Sequence, residues 1–335
     1  MSVLAGDIGG TKTILAIFST EGGPRNPLVC KTYSSQQYRS LESVIECFLH
    51  ETGARVERAC LGVAGPVMQG RVHLTNLGWF LDAKEICTHF GLTEVYLLND
   101  MQALGYSIPV LERASLATLS EGKPVLGGAI ALLAPGTGLG EGFLTWDNGF
   151  YRAHPSEGSH AAFAPIGELQ IGLLRYMNAQ GFEHVSFERV CSGGLGIPNL
   201  YSYLRSIGYE EPDYLRKKLA TADHPTPVLL EAALDESNPC EIAVKTMELF
   251  VEILGSEAGN LALKVLATGG IYLGGGISPR ILPYLRRPAF LAALRNKGRF
   301  RETLTDVPVH VILDPQAGLW GAAAYGLQMV QMDSL

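Results

Sequence analysis

Three glycine-rich segments contain the residues best suited to bind a phosphate group. They read GDIGGTKT (6–13), PGTGLGEG (135–142) and YLGGGISP (272–279). Because glycine has no Cβ, the backbone N–H groups of such a segment can approach an anion closely and form an anion-binding nest. The first segment has the spacing of neither a Walker loop nor a dinucleotide-binding loop, so another phosphate chemistry, or none, is indicated. One glycine tip alone is more often a simple hairpin turn, and the prediction depends on all three occurring together.

An acidic residue, Asp7, stands at the mouth of the first glycine segment, where it would repel a phosphate. Nucleoside triphosphates are bound together with Mg²⁺, and a carboxylate near the β- and γ-phosphates holds that cation directly or through water. We therefore interpret Asp7 as a residue that serves the metal and not the phosphate.

Asn99 and Asp100 follow the apolar run EVYLL, which predicts a strand, and precede the helical pattern MQALGYSI. Ligands of open α/β sheets gather at the carboxyl ends of such strands. A carboxylate there can orient a hydroxyl group and accept its proton as the oxygen approaches a phosphorus atom. The residues alone leave two roles open for Asp100, a catalytic base or a cap of the following helix.

Alternating strands and helices position these residues. Apolar, β-rich runs at 3–7 and 13–18 predict a hairpin whose tip is the first glycine segment. An amphipathic helix is predicted around Leu41–Leu49. The strands predicted at 59–67 and 94–100, with a helix between them, form a βαβ unit.

The second half of the chain repeats this order. Residues 128–146 predict a strand, a glycine tip and a strand, and the Asp-Asn-Gly sequence at 147–149 predicts a further hairpin turn. Residues 167–234 read as mostly helical, and a long helix at 241–266 precedes the third glycine segment. A strand and an Ala-rich helix end the chain, and this helix could pack on the first lobe. We infer an internal duplication, with two α/β lobes and a cleft between them.

The composition limits the possible partners. The chain has 335 residues, a formal net charge of −7, and 47% hydrophobic and 18% charged residues, as in a soluble globular protein. The acidic balance argues against nucleic-acid binding, and the basic run RNKGRFR (295–301) is interpreted as a solvated surface. The sequence contains no apolar run of about 18 residues and no signal-peptide pattern. Its six cysteines form no CxxC pair, so we expect a cytoplasmic protein that neither spans a membrane nor depends on disulfides.

Four motifs in this order resemble those of a known superfamily. DIGGTK, LLND, PGTGLGEG and LGGGI are similar to the phosphate-1, connect-1, phosphate-2 and adenosine motifs of the sugar kinase, Hsp70 and actin ATPase superfamily. The segments TNLGW (75–79), SEGSH (156–160) and HVSFERVCSG (184–193) further resemble the bacterial glucokinase family. The resemblance extends from Gly6 to about Leu327.

The resemblance implies a duplicated ribonuclease H-like fold, also called the actin-like ATPase fold, with two α/β lobes and an interlobe cleft. It implies a small domain of residues 1–109, completed by a C-terminal helix at about 315–335, and a large domain of residues 110–314. The implied reaction is ATP-dependent phosphorylation of D-glucose at the 6-hydroxyl, with Mg²⁺ as cofactor, and the implied assembly is a homodimer.

The resemblance also implies roles for individual residues, with Asp100 as the catalytic base. The implied sugar-binding residues are Asn76, Asn99, Asp100, Glu157, His160 and Glu188. The implied nucleotide-binding residues are Asp7, Gly9, Gly10, Thr11, Gly136, Thr137, Gly138, Gly274, Gly275 and Gly276. Mg²⁺ would be held by Asp7, through water. Trp79 has two interpretations, as a core residue or as a wall of the sugar pocket.

Other functions on the same fold stay open at this point. They are a kinase for fructose or mannose, a non-catalytic sugar sensor, and a motor-like ATPase, although the last leaves SEGSH and HVSFERV unexplained. Related repressors carry a DNA-binding domain before the first strand, which is predicted here to start at Val3, so we expect none. The chain also lacks the CxCGxxGC zinc motif of related kinases. Ser159 stands where the family has a glycine, which changes the loop backbone but keeps the acid and the histidine.

Overall fold

A computed structural model of the chain describes residues 2–333. Met1, Ser334 and Leu335, which belong to the predicted small domain (1–109 and about 315–335), lie outside the described residues. The chain divides into two compact units. The first contains the residues through Ser115, Asp147–Pro155 and the residues from Asp314 onward, and the second contains Leu116–Trp146 and Ser156–Leu313.

Strands and helices alternate along the described residues. The strands, in chain order, are β1 (Ser2–Ile8), β2 (Lys12–Ser19), β3 (Val29–Ser34), β4 (Arg58–Val63), β5 (Arg71–Leu74), β6 (Trp79–Asp82), β7 (Glu94–Asn99), β8 (Leu116–Ser120), β9 (Ile130–Pro135), β10 (Leu139–Asp147), β11 (Phe150–Ser156), β12 (Gly270–Leu273) and β13 (Val309–Ile312). The α-helices are α1 (Leu41–Thr52), α2 (Ala83–Phe90), α3 (Asp100–Ser107), α4 (Gly167–Ala179), α5 (Phe187–Val190), α6 (Gly196–Ser206), α7 (Asp213–Ala220), α8 (Pro225–Leu234), α9 (Glu241–Val265), α10 (Leu282–Leu285), α11 (Pro288–Arg295), α12 (Arg301–Thr305) and α13 (Ala317–Met332). Within residues 2–333, no helix combines the length and apolar character needed to cross a membrane.

The sheet of the first unit has the strand order β3-β2-β1-β4-β7. β1 pairs antiparallel with β2 and parallel with β4, and β4 pairs parallel with β7. The predicted hairpin and the predicted parallel βαβ strands are therefore confirmed. Because β1, β4 and β7 run in the same direction, their carboxyl ends lie at one edge of the sheet, where Asp7 and Asn99 are found.

The sheet of the second unit repeats this arrangement. β9 pairs antiparallel with β10 and parallel with β12, which pairs parallel with β13. The order β10-β9-β12-β13 thus corresponds to β2-β1-β4-β7, and β8 adds an antiparallel strand next to β13. The duplication inferred from the sequence is confirmed in the strand topology of the two units.

Local sequence explains where individual elements begin and end. The buried face of α1 has the predicted helical spacing and consists of Leu41, Val44, Ile45 and Phe48. Ser40 caps its N-terminus by accepting a hydrogen bond from the backbone N–H of Ser43, and Gly53 ends the helix in the left-handed conformation, with φ of 63°. The predicted Asp-Asn-Gly turn also forms, with positive φ at Asn148 and Gly149.

Helix α13 packs against α3 and β1 within the first unit. The close approach depends on two glycines, because a Cβ at Gly321 would overlap the carbonyl oxygen of Ala103 and a Cβ at Gly326 would lie 2.8 Å from a methyl group of Val3. This contact fixes α3, whose first residue is Asp100.

Several short elements are not predicted by the sequence pattern, namely β3, β5, β6 and β8. The strand predicted at 59–67 ends at Val63, since Pro66 has no N–H to donate to a sheet. Of the two interpretations of Trp79, the core interpretation is confirmed. Its side chain is 4% exposed and belongs to the hydrophobic core of the first unit.

Candidate active site

The predicted site residues divide between the two units. The first unit contains Asp7, Gly9, Gly10, Thr11, Asn76, Asn99 and Asp100. The second unit contains Gly136, Thr137, Gly138, Glu157, His160, Glu188, Gly274, Gly275 and Gly276. In the first unit these residues include the tip of the hairpin between β1 and β2, and in the second unit the tip of the hairpin between β9 and β10.

The tip between β1 and β2 is a tight turn held in place by Ser35. Gly9 N–H donates to the carbonyl oxygen of Lys12 at 3.0 Å. Ser35 donates its backbone N–H to the carbonyl of Thr11 at 3.0 Å and its hydroxyl to the carbonyl of Gly9 at 2.8 Å. Ser35 is not among the predicted site residues, because its position after β3 becomes adjacent to the tip only through strand pairing.

Asp7 lies near the end of β1, next to this tip. Burial raises the pKa of its carboxyl group, the charge of Lys12 lowers it, and the nearby charge of Asp100 raises it again. A Cβ at Gly318 would lie 3.5 Å from Asp7 Oδ2, so the start of α13 passes close to the carboxylate without a side chain between them. Two carboxylates, Asp7 and Asp100, therefore influence each other at one edge of the sheet, an arrangement suited to a divalent cation.

Asn76 lies beside the first glycine tip. A Cβ at Gly10 would lie 3.5 Å from the Cβ of Asn76. The two residues line a small depression together with Ile8, Ala64, Leu74, Thr75 and Leu77. Asn76 itself is exposed, in the turn between β5 and β6. The structure thus brings the TNLGW segment to the tip of the first hairpin.

Asn99, and not Asp100, is the N-cap of helix α3. Asn99 Oδ1 accepts hydrogen bonds from the backbone N–H groups of Met101 at 2.8 Å and Gln102 at 3.0 Å. Asn99 Nδ2 donates to Asp100 Oδ1 at 2.9 Å. Of the two roles left open for Asp100, that of the helix cap is therefore filled by Asn99. Asp100 is exposed in the first turn of the helix, with its carboxylate oriented by the Asn99 amide.

In the second unit, the tip between β9 and β10 is bound directly to a second glycine loop. Gly193 N–H donates to the carbonyl of Gly136 at 2.8 Å, and Gly194 N–H donates to that of Thr137 at 2.9 Å. A Cβ at either Gly193 or Gly194 would lie 2.6 Å from the oxygen it faces. These glycines are missing from the predicted site, although the Cys-Ser-Gly-Gly sequence at 191–194 was a signal for them.

The third glycine segment packs against the same hairpin. Gly274 N–H donates to the carbonyl of Leu133 at 2.7 Å, and Ile277 N–H donates to that of Pro135 at 3.1 Å. Gly275 has a φ of +75°, and a Cβ there would lie 2.5 Å from the Pro135 oxygen. The glycine segments of the second unit and the Gly193–Gly194 loop therefore form one continuous backbone structure, called the glycine cradle below.

Glu157, His160 and Glu188 form a cluster in the second unit. Residues Gly158–His160 make a short 3₁₀ turn after β11. His160 Nε2 lies 3.7 Å from Glu157 Oε2, and His160 Nδ1 lies 3.5 Å from Glu188 Oε2. The ring nitrogen of His184 bonds the carbonyl of His160 at 2.8 Å. The structure thus brings together the residues of the SEGSH and HVSFERV segments that were predicted to bind sugar hydroxyls.

This cluster adjoins the glycine cradle. A Cβ at Gly138 would lie 2.7 Å from Glu188 Oε1, so the carboxylate lies against the hairpin tip and would have to move if residue 138 had a side chain. Ser186 caps α5 by accepting a hydrogen bond from Arg189 N–H at 3.3 Å, which places Glu188 in the first turn. The glycine cradle and a set of acceptors suited to hydroxyl groups are therefore neighbours in one unit.

The topology and the glycine tips define the class of protein. Both units have the strand order of the actin-like ATPase fold, which sugar kinases share. A crystal structure of a ROK family glucokinase from Streptomyces griseus, in complex with glucose and AMPPNP, has this fold and covers 98% of the chain, with all of its own chain matched, at a TM-score of 0.64 and 21% identity. The chain is therefore an α/β protein of this fold class.

Sequence comparison places the chain within one family. The family model described as Glucokinase matches residues 4–329. A glucokinase from Nostoc punctiforme is 39% identical over 336 aligned positions, which cover 96% of this chain and 97% of the Nostoc protein. The crystal structure of a glucokinase from an Antarctic psychrotroph is 31% identical, covers 98% of this chain and 99% of its own, and has a TM-score of 0.85. The chain belongs to the glucokinase family.

Two neighbouring glycines of the cradle are expected to respond differently to the same substitution. Gly275→Ala should lower the free energy of unfolding by at least about 1 kcal/mol, because its φ is positive and its Cβ would meet the Pro135 oxygen. Gly276→Ala should leave stability nearly unchanged, because no atom lies within 4 Å of its Cβ. If a nucleotide occupies that open space, Gly276→Ala should weaken ATP binding.

Denaturant unfolding and calorimetric ATP titration of both variants check this prediction. Unchanged ATP affinity in a fully folded Gly276→Ala variant would remove this loop from the nucleotide site.

Proposed function

We propose that this protein transfers the terminal phosphoryl group of ATP to the 6-hydroxyl of D-glucose, giving glucose 6-phosphate and ADP. The observation that carries the proposal is the contact between Glu188 and Gly138, which joins the acid and histidine cluster to the glycine cradle. Family membership along nearly the whole chain supports glucose as the sugar and ATP as the donor.

Each unit offers acceptors and donors suited to the hydroxyl groups of a sugar. In the second unit, Glu157 and Glu188 offer carboxylate oxygens on either side of His160. In the first unit, Asn76 and Asn99 offer side-chain amides. Such an array distinguishes hydroxyl positions, because an analogue that leaves a buried polar group unpaired binds less well.

Asp100 would act as the base. Its reference pKa of about 3.9 makes a carboxylate a weak base for an alcohol, but in a loose transition state the proton leaves late, so orientation matters most. The hydrogen bond from Asn99 Nδ2 fixes one carboxylate oxygen of Asp100, and the packing of α13 fixes the helix that carries it. Both contacts support a positioned hydroxyl acceptor at the start of α3.

The glycine cradle would bind the phosphates of ATP, and Asp7 would hold Mg²⁺, directly or through water. The residues present fit this cation. No group of three or more acidic, histidine or cysteine side chains suited to a metal occurs within residues 2–333. Mg²⁺ in kinases is held by one or two carboxylates together with phosphate oxygens and water. When bound, the cation neutralises negative charge that develops on the phosphates.

We also propose that the protein is a cytoplasmic homodimer and that neither nucleic acid nor a membrane is its partner. It is supported by the resemblance to bacterial glucokinases and by the net charge of −7.

The test of the function is ADP production from ATP and Mg²⁺ with glucose, mannose, fructose, galactose or N-acetylglucosamine, against a control without sugar. Fast turnover with glucose alone supports the proposal. Preferred turnover of fructose or mannose would reassign the sugar, and turnover without sugar would indicate a motor-like ATPase. Glucose binding without turnover would indicate a sensor.

Asp100→Asn should reduce kcat by at least about 100-fold while leaving the glucose Kd within about threefold, because the amide keeps the shape but accepts no proton. Steady-state kinetics and calorimetry measure the two quantities. Asp213→Asn, which changes an exposed acid at the start of α7, is the matched control and should behave like the wild type. Turnover of Asp100→Asn close to that of the wild type would contradict the assignment of the base.

Asp7→Asn should raise the Mg²⁺ concentration needed for half-maximal activity by several-fold, and more than it raises the glucose KM. The reason is that an amide is a weaker ligand for Mg²⁺ than a carboxylate. Separate titrations of Mg²⁺ and of glucose give both values. An equal rise in the two, or a rise in the glucose KM alone, would mean that Asp7 does not serve the cation.

A further inference from the structure

A buried carboxylic acid, Glu141, lies on β10 directly after the glycine tip. Its side chain is 1% exposed. Neither of its carboxyl oxygens has a hydrogen-bond partner among residues 2–333. A carboxylate in such surroundings is unfavourable when ionised, because nothing replaces the water it loses on burial. None of the steps proposed above uses this group.

The carboxyl group of Glu141 touches the sugar-binding turn. A Cβ at Gly158 would overlap Glu141 Oε2, so the acid lies directly against the turn backbone between Glu157 and His160. The Gly158 N–H already donates to Ser156 Oγ at 3.0 Å, and is not available to the carboxyl group. A side chain at position 158 would therefore force the carboxyl group of Glu141 to move.

Charged and titratable groups surround Glu141. On α9, Glu257 is fully buried, and Lys264 Nζ lies 3.5 Å from Glu257 Oε1. Lys297 approaches Glu257 from the loop after α11, and the Cys191 thiol lies at the end of α5. Burial and the charge of Glu257 raise the pKa of Glu141 and the charge of Lys264 lowers it, so that the pKa is raised to about 7.

The groups on the turn side are the sugar-binding candidates themselves. Glu157 belongs to the same turn as Gly158, and His160 of this turn lies close to the carboxylate of Glu188. Ionised Glu141 would thus add negative charge beneath a turn that already carries acids, and its unsatisfied oxygens would draw water or displace the backbone.

We propose that Glu141 is a positioning residue for the sugar-binding turn: its uncharged carboxyl group supports the turn at Gly158, and its ionisation disturbs the turn and weakens sugar binding. The inference rests on the proposed function for the choice of glucose as the ligand. The contact between Glu141 and Gly158 is the observation that supports the inference.

The test compares the wild type with Glu141→Gln, which keeps the side-chain shape but does not ionise. Calorimetry gives the glucose Kd from about pH 5.5 to about pH 8.5. We expect the wild-type Kd to rise about tenfold as the pH passes through the pKa of Glu141, since the protonated form binds best. The Glu141→Gln variant should lack this rise and keep the affinity of the wild type at low pH.

Thermal unfolding gives a readout that does not involve glucose. The pKa of Glu141 in the folded protein is raised from the ordinary value of 4.5 to about 7. The folded state therefore holds a proton that the unfolded state has lost between these values, and wild-type stability falls with rising pH across this window. The difference in Tm between Glu141→Gln and the wild type should therefore increase as the pH rises from 4.5 to about 7.

Two further variants control the comparison. Glu252→Gln changes an acid of α9 whose pKa is also raised by burial, and its glucose affinity should follow the wild-type pH profile. Glu257→Gln removes the negative charge that raises the pKa of Glu141, so the change in Kd should move to lower pH. If Glu141→Gln does not fold, an unmoved profile in Glu257→Gln overturns the inference.

The outcomes separate this inference from the function. A Glu141→Gln variant with the wild-type pH dependence of glucose binding overturns the inference and leaves the kinase activity standing. Glucose binding with the expected profile but without ADP production contradicts the proposed kinase and supports the inference. The absence of glucose binding at every pH overturns both.

Discussion

Direct contact between backbones, with no side chains between them, is the constraint on which the second unit depends. The tip at Gly136–Gly138 accepts hydrogen bonds from Gly193 and Gly194, and the segment preceding it accepts one from Gly274. A Cβ at Gly193, Gly194 or Gly275 would lie within 2.6 Å of a carbonyl oxygen of the hairpin. The cradle is thus one structure built from three distant stretches of chain, and its shape is fixed by its own hydrogen bonds before any ligand arrives, which reduces the entropy lost on binding.

The acids of the candidate site differ in how their charge is balanced. Glu157 and Glu188 flank a histidine near solvent, whereas Asp7 and Glu141 are largely buried, and burial raises the pKa of each. A polyol interacts with the first kind of acid through hydrogen bonds, and a cation with a buried acid through charge. The surroundings of these acids therefore match the roles proposed for them, which are sugar binding for Glu157 and Glu188, Mg²⁺ binding for Asp7, and support of the turn backbone for Glu141.

The elements that the sequence predicts are those with strong local signals. The hairpin at 3–18, the helix beginning at Leu41 and the long helix α9 are visible in apolar spacing alone. β5 and β6 have four residues each, too few to show a period, and only one of the six residues of β3 is buried. The partners of Ser35, Gly193 and Glu141, which are the first hairpin tip, Gly136 and Gly158, are set by the folded chain and are not encoded in a local pattern. The roles of Asp100 and Glu157 came from motif resemblance, because spacing alone does not distinguish a base from a cap.

The packing of α13 on α3 joins two segments that lie far apart in the sequence. The helix α3 belongs to the residues through Ser115, and the helix that covers it belongs to the segment from Asp314 onward. Most of the residues between these segments form the second unit, which has its own core. Because a chain is synthesised from its N-terminus, the face of α3 that α13 covers stays open until the second unit has been synthesised. The packing that fixes the start of α3, with Asp100, becomes available only after that point.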